Sequence, residues 1–113
     1  MPDSALNILR GISMENFAAQ ADSAYYALLL TQARDKNYVV QTDDSLIRYA
    51  VAYYDKTNDV RMQAKAHYYW GCVYRDMNRQ AEAIREFLIA APLTEKAKEK
   101  RQLGLIYNNI GYI

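Results

Sequence analysis

The chain has one cysteine, one histidine and one tryptophan among 113 residues. A single thiol excludes an internal disulfide and a cysteine-built metal site, and it fits a reducing compartment as well as an oxidising one. Localisation stays open between cytoplasm, periplasm and a membrane-anchored parent. A single imidazole leaves any catalytic or metal centre to be assembled from carboxylates and hydroxyls. An excess of either charge is lacking too: 14 basic against 13 acidic side chains give a net +1, so no global field draws nucleic acid or an anionic membrane. The longest apolar runs, "AYYALLL" (24–30) and "FLIAAPL" (87–93), fall far short of the about 20 residues that cross a bilayer. The opening "MPDSALNILRGI" lacks the basic and apolar regions of a secretory signal. The 4 glycines form no phosphate cradle.

Tyrosine is abundant, at 11 residues. Its apolar body and polar tip suit packed interfaces with wet edges better than one dry core. Apolar residues recur three and four apart, which predicts an all-α chain. The rows are Leu6, Leu9 and Ile12; Tyr25, Leu28 and Leu29; Leu46, Tyr49, Ala50 and Tyr53; His67, Trp70, Gly71 and Tyr74; Ala83, Phe87 and Ala90; Tyr107, Ile110 and Gly111. Helices are expected near 3–11, 15–36, 43–57, 60–77, 80–95 and 98–113. Asn58 and Asn78 are expected to close helices in the left-handed conformation, and Asp43, Asp44 and Asp59 to cap the helices that follow. Pro92 predicts a stop near Ala91 or a kinked last turn.

"HYYWGCVYRDMNRQAEAI" (67–84) places Gly71 in the middle of the best helix, at a cost of about 1 kcal/mol relative to alanine. A missing side chain there lets a second helix approach. Laying Tyr25 over His67 and Tyr107, and Leu28 over Trp70 and Ile110, gives offsets of 42 and 40 residues. Ser45, Tyr49 and Ala52 then fall on Ala83, Phe87 and Ala90. Two helices per unit, repeated, read as a helical repeat array.

His67, Trp70, Gly71 and Tyr74, followed by Ala83, Phe87 and Ala90, resemble the tetratricopeptide pattern W-x2-L-G-x2-Y, A-x3-F. Departures are plain: histidine stands at the tryptophan slot, Leu29 at the first unit's glycine, Glu95 at the proline. The spacing exceeds the family's 34, which places longer loops near 36–41 and 94–100. Over residues 1–113 the resemblance implies one domain, an alpha-alpha superhelix of antiparallel pairs with about two full repeats and a half repeat at each end. "AYYALLLTQA" and "IYNNIGYI" also resemble tetratricopeptide regions of Bacteroides-type bacterial regulators, which implies a protein-contacting part of a larger signalling protein without nucleic-acid or membrane contact of its own. Ile110 and Ile113 are expected to stay uncovered, to be buried by further chain or by a second copy in a homodimer.

The family's ligands lie on the first helix of each unit, beside its packing row. Carried over, that surface is Ser23, Tyr26, Leu30 and Ala33; Lys65, Tyr68, Cys72 and Arg75; Asn108 and Tyr112. Tyrosines offer contact area, Asn108 backbone hydrogen bonds, Lys65 and Arg75 partners for acidic groups. The implied function is a scaffold for a peptide or partner helix; the alternative is an oligomerisation domain with no ligand in the groove. His67 and Cys72 read as packed residues, Asp43 and Asp44 as caps, and "TEKAKEKRQ" (94–102) as a solvated linker or helix start. No enzyme activity and no cofactor is expected.

Overall fold

The computed structural model of the protein describes the backbone of residues 5–112 and the side chains of residues 18–111. Among the described residues there are five helices and no strand: α1 (Ala5–Lys36), α2 (Ser45–Tyr54), α3 (Val60–Asp76), α4 (Gln80–Lys96) and α5 (Lys100–Tyr112). The chain is all-α. α1 packs on α2 and α3 on α4; the two pairs meet through α2 and α3 and through α1 and α3, and α4 carries α5.

Three expectations about helix ends change. α1 runs without the break predicted between 11 and 15, since one interior glycine costs only about 1 kcal/mol. α4 continues through Pro92 to Lys96, close to the expected 80–95 span, so of the two expectations for Pro92 the stop near Ala91 is the one that changes. The extra residues of the unit lie partly in the 37–44 segment and partly in the helices themselves, because α4 and α5 are joined by only residues 97–99.

Asn78 is left-handed as expected, at φ 59°, but so are Tyr38 at 58° and Lys98 at 60°, whereas Asn58 is not. All three close their helix with one pattern. After α1, the Tyr38 amide donates to the Asp35 carbonyl and the Val39 amide to that of Arg34; after α3, Asn78 donates to Arg75 and Arg79 to Tyr74; after α4, Lys98 donates to Glu95 and Glu99 to Thr94. This is the Schellman closure, which satisfies carbonyls that the helix leaves free. α2 ends otherwise: the Tyr54 carbonyl accepts from the Thr57 hydroxyl at 2.7 Å and from Gln63 Nε2 at 3.1 Å. Side chains satisfy it, so Asn58 has no left-handed task. Asp59 caps α3 as expected, accepting from the Met62 amide at 3.1 Å. Asp43 accepts from the Ser45 amide at 3.2 Å, which with the Ser45 hydroxyl holds its carboxyl below the usual range. Asp44 occupies the N-cap position of α2 without a side-chain cap bond; its carboxylate takes the Trp70 indole N–H at 3.1 Å instead.

The repeat is present with a corrected register. Tyr38 and Asn78 close the first helix of each pair, and α3 and α5 start at 60 and 100, which gives an offset of 40 for these landmarks. Buried positions obey it: Ala24 and Ala64, Leu28 and Tyr68, Thr31 and Gly71, then Ile47 and Phe87, Ala50 and Ala90, Val51 and Ala91, Tyr54 and Thr94. The 42-residue register fails because Tyr25 and Leu29 are exposed, and laying Tyr49 over Phe87 fails because Tyr49 is exposed. Thr31, not Leu29, holds the first unit's equivalent of Gly71.

A Cβ at residue 71 would lie 2.5 Å from Phe87 Cε1, 2.7 Å from Cδ1 and 3.0 Å from Cζ. The ring therefore sits in the space that glycine leaves open. Phe87 is fully buried, in a core shared with Leu28, Ile47, Val73 and Ile106; burying such a side chain contributes roughly 1.5–3 kcal/mol. Nothing lies within 4 Å of a Cβ added at Gly111, so the same choice meets no neighbour there. Ile110, expected to stay uncovered, is half-buried against the core. Ile113 falls outside the described residues.

Candidate functional site

α1 and α3, the first helices of the two pairs, and α5 are tied together by one polar ladder centred on Arg75. Its guanidinium donates from Nη2 to Asp35 Oδ1 on α1 at 2.8 Å and to Asp76 Oδ1 on α3 at 3.3 Å. From Nη1 it donates to Asn109 Oδ1 on α5. Asn109 in turn donates through Nδ2 to the Tyr68 hydroxyl at 3.2 Å, and Asp76 Oδ2 accepts from the Gln41 amide at 3.1 Å. Arg75 suits this place because its planar fork reaches several acceptors in fixed directions while staying charged.

This ladder decides what the expected site residues do. Arg75 faces the surface but is spent on three partners. Tyr68 is 4% exposed and Cys72 0%, so both belong to the interior rather than to a contact surface, a correction that follows from α1 lying close against α3. Burial raises the Tyr68 and Tyr69 phenols above their ordinary values and pushes the Cys72 thiol up to about 12; an ion is disfavoured where water cannot solvate it. Lys65, Leu30 and Asn108 remain partly or fully accessible. Tyr26 is 63% exposed but lines a separate open pocket with Ser23, Leu46 and Tyr49, between α1 and α2. Ala33 is exposed, and the side chain of Tyr112 lies outside the described residues. Among the described side chains, the expected residues therefore do not form one patch.

Asp35 and Asn109 were missed by sequence reading. The signal that finds them is the 40-residue register: Asp35 and Arg75 occupy equivalent positions, as do Tyr69 and Asn109. Tyr25, Lys65 and Leu105 share one position of that register on α1, α3 and α5, with Leu29 one turn along from Tyr25 and Asn108 next to Asn109. Tyr25, Leu29 and Leu105 are exposed large side chains.

On another side of α3, His67 stands between two carboxylates: Nδ1 is 2.6 Å from Glu86 Oε1 on α4, and Nε2 is 2.9 Å from Asp55 Oδ1 at the end of α2. Trp70 stacks on Tyr74 with centroids 5.3 Å apart, and the Arg79 guanidinium lies 5.5 Å from the Tyr74 ring. The His67 contacts join elements, whereas the Trp70–Tyr74 stack lies within α3; among the described residues, no hydroxyl or thiol lies within hydrogen-bond reach of the imidazole. Among the described residues, no group of three His, Cys, Asp or Glu side chains is placed to hold a metal ion. Compared with protein-family models, with curated proteins and with solved structures, the chain matches none.

Proposed function

We propose that the chain is a tetratricopeptide-like segment of a superhelix, a non-catalytic scaffold that holds an extended peptide or a partner's helix along α1, α3 and α5. The observation that carries this reading is the 40-residue register, seen in helix closure and burial and in the Arg75 ladder that aligns the three helices. On these helices, Tyr25, Leu29 and Leu105 supply apolar contact, Lys65 a charge for acidic groups and Asn108 an amide for a partner's backbone. In the 40-residue register the α1 residues equivalent to Lys65, Tyr68, Cys72 and Arg75 are Tyr25, Leu28, Gln32 and Asp35, of which Leu28 is buried and Tyr25 exposed; Leu29, one turn along from Tyr25, joins the proposed surface by its exposure. A place in a larger bacterial signalling protein belongs to the same proposal and rests on resemblance alone.

The test is selection of peptides from a displayed random library on the wild-type protein. Affinity of the selected peptides for a Leu29→Glu, Leu105→Glu double variant follows, with circular dichroism to confirm unchanged helicity. Loss of binding in a folded variant supports the groove; undiminished binding rejects it.

One observation favours the alternative of an assembly domain: the open pocket between α1 and α2 is lined by Tyr26, Leu46 and Tyr49, an apolar surface of the kind that self-association covers. Light scattering on wild-type protein and a Tyr49→Lys variant separates the two, since only assembly through this face predicts a concentration-dependent dimer that the variant abolishes.

A further inference from the structure

We propose that His67 is a proton-operated joint between the two helix pairs, locking the end of α2 to α3 and α4 when the ring is charged and releasing Asp55 when it is neutral. The geometry carries it. Each ring nitrogen faces a carboxylate oxygen, Nδ1 toward Glu86 at 2.6 Å and Nε2 toward Asp55 at 2.9 and 3.2 Å. A neutral imidazole has one N–H, so one carboxylate would then face a lone pair. The imidazolium has two N–H groups and satisfies both.

The two carboxylates differ in what they can do without the proton. The Glu86 side chain is 3% exposed and that of Asp55 47%. Glu86 is reached otherwise only by Arg85 Nε, 3.4 Å from its other oxygen, and leaving it without an N–H donor in the interior is costly. Asp55 can turn to water. The remaining N–H therefore stays with Glu86, and the contact that opens is the one between the pairs. α2 and α4 supply the only charged groups acting on the ring, Asp55 and Glu86; among the described residues, none from α1 or α5 does so.

Burial opposes charging the ring, but hydrogen bonds and charge from Glu86 and Asp55 outweigh it and raise the His67 pKa above 6.5. A raised folded-state value means that the joint contributes in full below about pH 6.5, the unfolded chain's value, and loses its contribution as pH climbs through the folded midpoint.

As the chain has one histidine, its ring resonances are unambiguous. The experiment is an NMR titration of the wild type and of Asp55→Asn between pH 5.5 and 9, with amide exchange rates at 55–59 and thermal melts at each pH. The expected result is a midpoint above 6.5, with melting temperature and the protection of the 55–59 amides, relative to their intrinsic exchange at each pH, both falling through it. Asp55→Asn, at a half-exposed position, should fold, lower the midpoint and flatten both responses. A ring that is neutral at pH 6, a midpoint unmoved in Asp55→Asn, or protection of the 55–59 amides indifferent to pH would overturn the proposal.

Discussion

Arg75 and Asp35 hold equivalent positions in successive helix pairs and face each other as an ion pair, Nη2 to Oδ1 at 2.8 Å. The repeat thus bonds to its own preceding copy, with opposite charges at one register position. Because the Asp35 and Asp76 side chains are only 17% and 14% exposed, Arg75→Met leaves two carboxylates poorly solvated. A loss of about 1–3 kcal/mol is expected, read as a lower urea midpoint. The pair Arg61–Glu99 is equally short at 2.8 Å but lies at the surface. Arg61→Met should cost at most about 1 kcal/mol, and an equal loss in the two variants would contradict this account.

Gly71→Ala gains about 1 kcal/mol of helix propensity but drives a methyl into the Phe87 ring, an overpacking cost of about 1–3 kcal/mol. Net destabilisation is expected. In the Phe87→Leu background the obstruction is smaller, so the same substitution should cost less there, and a double-mutant cycle by denaturant unfolding measures the difference. Additive effects would mean that the two residues do not compete for space.

Tyr38 is 93% exposed and left-handed at φ 58°, so it meets backbone strain with little packing in return. Tyr38→Gly removes strain of about 1–2 kcal/mol, partly offset by the freer unfolded chain, for an expected gain of about 0.5–1 kcal/mol in thermal or urea unfolding. Asn78→Ala at the equivalent position should lose stability by a similar amount.

Cys72 is fully buried with its thiol pushed up to about 12 by that burial, so in the folded chain the reactive thiolate is strongly disfavoured at pH 8 and reagent is shut out. Labelling by iodoacetamide should therefore follow unfolding. Because Cys72, Tyr68 and Tyr69 all hold their protons longer in the folded state, the folded chain binds more protons above about pH 9. Stability should fall with rising pH from there, visible as an alkaline unfolding transition; prompt labelling of native protein at pH 8 would refute the burial of the thiol.

The helical class, the end of α3 at Asn78, the Asp59 cap and the approach of a second helix at Gly71 were legible because each is local, or sits inside one motif whose spacing is fixed by helix geometry; that Phe87 fills the space was not. The register of the first unit was not. Tyr25 and Leu29 resemble core residues by type, and only the close packing of α1 on α3 shows that Leu28 and Thr31 are the ones turned inward. Likewise Tyr68 and Cys72 lie on the side of α3 where contact residues were expected, and the neighbouring helix buries that side.

Sequence by itself determined that this chain forms helices, where most of them end and which pair must approach most closely, since those follow from backbone hydrogen bonding and from the size of one side chain. Tertiary structure alone decided which tyrosines are interior, that Asp44 serves Trp70 rather than its own helix, and that Arg75 and His67 each join elements far apart in the chain. Burial and ion pairing depend on what lies across a helix, and a linear pattern names a face without naming its neighbour.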